Sequence, residues 1–458
     1  MNNTNLFEDF TTVSAKAWKQ KIQYDLNGAD YNKTLIWQTP EDINVKPFYN
    51  EDDFKEDSFN FKSSLSPFKI TQTIYVNSEE KSNTIASHAL DNHADAILFI
   101  VPTTQCDLNV LLKNINLSKT PIYFNVQFCD SSFVSKLNTI AQEKEANFYL
   151  NFDIIGHLIT DGNWYKSMST DFKVLESILK SSNHLKSNLS INLIDYQNAG
   201  ATIKQQLAYG LAHANEYLNR FSKDIKTELT FKVAIGSNYF FEIAKIRALR
   251  MLWHTLASAY NINTQCHILA TPTKRNKTIY SSKTNISRLT TEYMSAILGG
   301  ADSICNVAHH SIYRKQHNTS EQNSRNQLHL LKQKNVLGAV CNPSDGSYYI
   351  ENLTQQLAEK ALELFKDIEA NGGILKLLKE GLIQKKIKES ADKEQALFDS
   401  ETQLIIGANT HSNSKEKIKE KLELYPFIKH NPRKTLIEPI IPKRLAEHIE
   451  QNKLQSEK

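Results

Sequence analysis

The sequence predicts a (β/α)8 barrel, and three observations carry that prediction. From about Ala94, eight short apolar runs alternate with longer stretches of helical spacing, over the roughly 250 residues that one barrel occupies. Several runs are almost continuously apolar, as expected of strands covered on both faces. The Gly-x-Gly-x-x-Gly fingerprint of the competing architecture, a doubly wound open sheet, does not follow the first run.

The runs are Ala96–Val101, Ile122–Val126, Phe148–Phe152, Leu189–Ile194, Phe231–Ile235, His267–Ala270, Ser303–Val307 and Gly338–Val340. Between them, Ala199–Phe221 and Phe240–Tyr260 repeat apolar residues at three- and four-residue intervals, which places them on one helix face. These boundaries divide the chain into an N-terminal arm (1–75), the barrel (76–373) and a C-terminal tail (374–458). In the arm, Phe10–Asn27 reads as a helix with Trp18, Ile22 and Leu26 on one side. Tyr31–Tyr49 is rich in aromatic residues without helical spacing, a composition suited to packing on its own barrel or on a partner. In the tail, Lys376–Gln395 reads as a charged helix and Thr410–Lys421 as an exposed loop. Pro426, Pro432, Pro439 and Pro442 punctuate an extended stretch, and Arg444–Lys453 closes as a short helix.

The bulk numbers exclude several function classes. Of 458 residues 40% are hydrophobic and 23% charged, as in an ordinary globular protein. A net charge of +4 does not make a nucleic-acid surface, which needs clustered Lys and Arg. The five cysteines include no Cys-x-x-Cys pair and are odd in number, against a disulfide framework or a structural zinc site. The N-terminus lacks the basic start and apolar core of a signal peptide, and no apolar run approaches the roughly 20 residues of a bilayer span. A cytoplasmic location is expected.

Candidate chemistry is sparse. Asp91-Asn92-His93 sets a carboxylate two residues from an imidazole, a spacing seen in metal sites but commoner on solvated surfaces. His309-His310 follows the seventh run, at the end where barrel sites gather. The helix Phe240–Trp253 is amphipathic and is expected to point Glu242, Lys245 and Arg250 outward, towards neighbouring helices. Asn342–Tyr349, after the eighth run, reads as a turn that could also set a phosphate at a helix N-terminus. No Ser-His-Asp grouping and no metal triad can be placed.

Several stretches, in order, resemble the methylmalonyl-CoA mutase family. They are Gln197-Asn198-Ala199-Gly200-Ala201 with Leu207–Ala212 and Glu216-Tyr217, the Phe240–Trp253 helix, Ser324-Arg325-Asn326-Gln327, Asn342-Pro343 to Leu353-Thr354, and Ile368–Gly373. Trp18, Leu35-Ile36-Trp37 and Pro47-Phe48-Tyr49 resemble the family's small subunits in particular. The resemblance covers nearly the whole chain and implies the barrel fold independently.

The departures from the family pattern imply the role. Family catalytic chains read Gly-Tyr-His-Met-Gln-Glu-Ala-Gly-Ala at the end of the fourth strand, where the His holds the substrate thioester carbonyl. Here the aligned Tyr and His are Ile194 and Asp195. A carboxylate accepts hydrogen bonds and repels developing negative charge. A second catalytic Tyr, on the first strand, aligns with Thr73 in Thr71-Gln72-Thr73. These three positions read as degenerate, and no catalytic, cofactor-binding or metal residue is assigned. The family's cobalamin signature Asp-x-His-x-x-Gly has one partial match, Asp91 to His93, with Ala96 in place of the Gly and ahead of the barrel. The tail of about 85 residues lacks the βαβ rhythm of a cobalamin domain.

The resemblance therefore implies the small, non-catalytic subunit of a heterodimeric, adenosylcobalamin-dependent isomerase of propionate metabolism, interconverting methylmalonyl-CoA and succinyl-CoA. Cobalamin and acyl-CoA would reside in a large catalytic partner, and this chain alone would be inactive. The alternative is the barrel subunit of a split acyl-CoA mutase that borrows a separate cobalamin-binding subunit. A barrel that keeps a CoA ester as a regulator is a third reading.

Overall fold

The computed structural model describes residues 13–53, 67–263, 265–334, 337–340, 343–428 and 432–457. A short antiparallel pair, β1 (Trp37–Gln38) and β2 (Asn44–Val45), belongs to the arm. Eight parallel strands follow: β3 (Lys69–Tyr75), β4 (Ala96–Val101), β5 (Ile122–Val126), β6 (Phe148–Asn151), β7 (Ser190–Asn192), β8 (Leu229–Ile235), β9 (Cys266–Pro272) and β10 (Ser303–Cys305). They are ordered β6-β5-β4-β3-β10-β9-β8-β7. The two ends of that order meet: Lys186 N–H donates to Phe148 O (2.8 Å), Leu150 N–H to Ser187 O (2.8 Å) and Ser190 N–H to Phe152 O (3.0 Å). The ring is thus a (β/α)8 barrel, with helices on its outer face.

Two expectations about the strands need correction. The first strand of the ring is Lys69–Tyr75, inside the stretch expected to be arm, and Gly338–Val340 forms no strand. The physical reason is the outward face of β3, where Ile70 and Ile74 flank a polar Gln72. Gln72 is buried because Glu321, Asn306 and Arg325 all hydrogen-bond its amide, so the run does not look apolar. Every later strand therefore moves up one place. Asp195 follows the fifth strand of the ring, not the fourth, and His309-His310 follow the eighth. Of the expected turn Asn342–Tyr349, Asn342 lies outside the described residues, and Pro343–Ser347 leads into the helix Tyr348–Ala370.

The helix Tyr239–Ala259 departs from its expected polarity. Glu242, Lys245 and Arg247 are buried, not outward. Lys245 Nζ pairs with Glu242 (2.5 Å) and donates to Gln197 Oε1 (3.0 Å), Gln206 Oε1 (3.2 Å) and Ala234 O (2.6 Å). Arg250 donates to Cys266 O, Gly300 O and Asp302, each at 2.8 Å, and so ties the N-terminal ends of β9 and β10 together. A buried charge is tolerable only when its hydrogen-bonding capacity is met, and helical periodicity reports burial, not pairing.

The arm and the tail pack on the barrel. Glu41 accepts from Ile203 N–H (2.9 Å) and Lys204 N–H (2.7 Å), satisfying free donors at the start of the helix Ile203–Phe221. The arm helix Ala15–Asp25 buries no residue fully, and Trp18 and Trp37 each stay 48% exposed. The expected tail helix is broken at Gly381 (φ +74°) into Ile374–Lys379 and Leu382–Asp399. The extended stretch hydrogen-bonds to the loops after β6, β7 and β9, through Ile437 to Gly162, Lys443 to Asn198 and Leu445 to Arg275.

Near the N-terminal end of the ring, burial pushes the Glu228 carboxyl up to about 7, with Asp302 adding to the effect and Arg250 and Lys186 opposing it. The unfolded chain ionises this group near its ordinary 4.5, so the folded chain binds the extra proton between the two values. Stability then falls as pH rises through that window and stays lowered above it. Glu228→Gln should raise the melting temperature at about pH 8, by an amount corresponding to roughly 1–3 kcal/mol, and change it little at about pH 5. Thermal denaturation at the two pH values measures the difference.

Candidate functional site

Strand register sorts the barrel residues into two faces. Inward positions at the N-terminal half of the lumen are filled by rings. Tyr123 stacks on Tyr149 at 4.8 Å, and Tyr149 lies 4.5 Å from His267. The Tyr123 hydroxyl is 2.9 Å from His267 Nε2 and 2.5 Å from Ser303 Oγ. Burial keeps His267 below its ordinary value, opposed by Asp302. Together with Ala96, Leu98 and Leu269 these rings make a floor.

Above the floor the lumen is polar. Thr73, Asn125, Asn192, Lys232 and Thr271 each keep partial exposure, and Tyr75, the next inward position on β3, is 43% exposed, which marks an open mouth at the C-terminal ends. The Cys305 thiol is held above its ordinary value by burial, while hydrogen bonds with Thr271 and Thr73 oppose the shift.

The loop after β7 carries Ile194 and Asp195. Asn192 Oδ1 accepts from Ile194 N–H (3.1 Å) and its amide donates to Asp195 Oδ2 (2.5 Å), so one side chain fixes the turn and the carboxylate. Burial raises the Asp195 carboxyl above the usual range, and Lys232, Lys274 and Asn192 pull it back. Lys232 is lowered by burial, with Asp195 and Asp153 opposing. Ile194 is half-buried beside it.

Asp153 holds this loop from below. It accepts from Gly156 N–H (2.7 Å), Asn192 N–H (3.0 Å), His213 Nε2 (2.9 Å) and the Tyr217 hydroxyl (2.7 Å). Burial alone would raise its carboxyl, but His213 and these donors hold it below the ordinary value. The Gln197–Ala201 motif is structural in the same way. Gln197 joins the Lys245 cluster, Asn198 Oδ1 accepts from Thr273 and from Lys274 N–H (2.9 Å each), and Gly200 (φ +103°) leaves no room for a Cβ, which would lie 2.5 Å from Ala391 Cβ.

The remaining sequence candidates lie apart from the mouth or are already satisfied. His310 Nε2 is 2.6 Å from Ser320 Oγ, and burial, with His309 adding, takes it down to about 4. The start of the helix Tyr348–Ala370 is supplied with protein acids, because Arg247 bridges Asp345 and Glu351, so a phosphate there would meet negative charge. Among the described residues, no three His, Cys, Asp or Glu are grouped to hold a metal ion, and no helix is long and apolar enough to cross a membrane. Lys232, Asn125 and Asn151 were not singled out from sequence. Their inward direction follows from strand register, and the only sequence signal was a polar residue at alternate places in apolar runs.

Cobalamin fits poorly to the one partial signature. Asp91 ends the helix Glu79–Asp91 and His93 precedes β4, at the end of the barrel opposite the mouth. The His93 ring stacks on His329 at 3.8 Å, and the position three residues on is the buried Ala96, inside a strand.

A family profile described as methylmalonyl-CoA mutase matches residues 101–451. A methylmalonyl-CoA mutase small subunit of Porphyromonas gingivalis is 30% identical over 92% of this chain and 73% of its own length. The large subunit of the same organism is 27% identical over 83% of this chain and 61% of its own length. A methylmalonyl-CoA mutase of Cereibacter sphaeroides is 26% identical over 88% of this chain, which spans 65% of that relative.

The carboxylates of Asp153, after β6, and Asp195, after β7, should differ sharply in stability effect. Asp153→Ala strands the buried Tyr217 hydroxyl, His213 Nε2 and two backbone N–H groups, and should cost about 2–5 kcal/mol in urea unfolding. Asp195→Asn keeps shape and removes a charge that burial disfavours, so its cost should stay below about 0.5 kcal/mol.

Proposed function

This chain belongs to the methylmalonyl-CoA mutase family, and from that premise we propose that it is the non-catalytic small subunit of a heterodimeric, adenosylcobalamin-dependent mutase in the cytoplasm. Its partner is a large subunit that carries the cobalamin, binds the acyl-CoA and interconverts methylmalonyl-CoA and succinyl-CoA. The occurrence of small and large subunits in one organism among the relatives supports a two-chain enzyme.

The observation that carries the non-catalytic reading is Asp195. The resemblance aligns it with an imidazole that donates to a thioester carbonyl, and here the position is a carboxyl group anchored to Asn192. In neither protonation state does it offer positive charge to a developing oxyanion. Thr73, aligned with a catalytic Tyr, is too short to bring a phenol to the same centre. The ring-filled floor adds a further obstacle, since Tyr123, Tyr149 and His267 occupy the N-terminal half of the lumen.

Asp195→Ala in the reconstituted complex should leave turnover within about twofold of the unsubstituted enzyme, with assembly and melting unchanged. A fall of roughly a hundredfold, the scale of removing a catalytic polar group, would instead make this barrel the reacting subunit of a split enzyme. Steady-state kinetics on the purified complex, with melting curves of the same samples, separates the two.

A further inference from the structure

The upper lumen holds one cation and one carboxyl that do not satisfy each other. The Lys232 ammonium, on the inward face of β8, makes no hydrogen bond or ion pair among the described residues. Asp195 takes a single donor, Asn192, on one oxygen. Asn192, which donates to Asp195, stands opposite Lys232 in strand register, yet the ammonium and the carboxyl form no ion pair. Beside them, Asn151 on β6 is 3% exposed, and neither its amide nitrogen nor its amide oxygen has a partner. Asn125 pairs with Asn151 in register on the next strand and keeps partial exposure to the lumen.

Separated, unneutralised charges at a partly exposed barrel mouth each cost free energy that a complementary ligand would recover. The electrostatics restrict what that ligand is. A simple anion on Lys232 would face the Asp195 carboxylate, and a simple cation on Asp195 would face the Lys232 ammonium. Only a molecule with both charges a few bonds apart meets both groups favourably. The floor of Tyr123, Tyr149 and His267 closes the lumen below, so the ligand enters from the mouth and is short.

We infer that the upper lumen binds a small zwitterion, an α-amino acid with a short side chain, its carboxylate on Lys232 and its ammonium on Asp195, with the partly exposed Asn125 amide facing the same space. This site goes beyond the accessory role proposed above and stands whether or not that role holds.

Three related probes separate the contributions by calorimetric titration of the full chain: L-alanine, propionate, which lacks the amine, and ethylamine, which lacks the carboxylate. L-alanine should bind saturably at millimolar concentration, at least about tenfold tighter than either single-charge probe. Lys232→Met and Asp195→Asn should each reduce that binding by at least about tenfold, in samples whose melting curves show them folded. Should a variant fail to fold, the probe series on the unsubstituted chain still decides. Absence of saturation by L-alanine overturns the inference, because the lumen polar groups are then met by water alone. Propionate binding as tightly as L-alanine also overturns it, because Asp195 then takes no part.

Discussion

The constraint on which the mouth of the barrel depends is the buried carboxylate of Asp153. It stands at the end of β6 and gathers donors from the turn after that strand, from β7 and from the helix Ile203–Phe221. Those elements come from distant parts of the chain, and backbone pairing between β6 and β7 is sparse at this point of the ring. A charged acceptor that meets several donors at once supplies the missing connection, because hydrogen bonds to an ionised group are stronger than neutral ones. With β7 fixed in this way, Asn192 can orient the turn above it and Asp195 faces the lumen.

The same economy recurs around the barrel. Lys245 links the Gln197 turn to β8 and to two helices, Arg250 joins the starts of β9 and β10, and Arg444 pairs with Glu450 at 2.5 Å while donating to Lys277 O at 3.0 Å to hold the tail. Each charged side chain is buried where backbone groups from separate loops need a partner. Gln197, Lys245 and Arg250 lie in stretches that resemble the mutase family, so part of the resemblance records how the barrel is tied together.

Most of the fold was legible, and the part that was not has one cause. All but one of the barrel strands were found because their outward faces are apolar, as Phe99, Phe124 and Phe231 illustrate. The strand Lys69–Tyr75 was missed because Gln72 replaces an apolar residue on that face and is satisfied by side chains far away in sequence. The buried charges of Tyr239–Ala259 were read as surface groups for the same reason: partners in space are invisible to periodicity. Ile194, Asp195 and Thr73 drew attention only through the family resemblance. Lys232, Asn125 and Asn151 needed the strand register to show that they share a lumen.

The central claim is that this barrel supports a mutase without carrying its chemistry. Equilibrium dialysis of adenosylcobalamin against this chain alone, and against the purified complex, tests it most directly. The account predicts no saturable binding by this chain and one cobalamin per heterodimer, bound by the large subunit. Saturable micromolar binding by this chain alone, or a second cobalamin per complex, would contradict it.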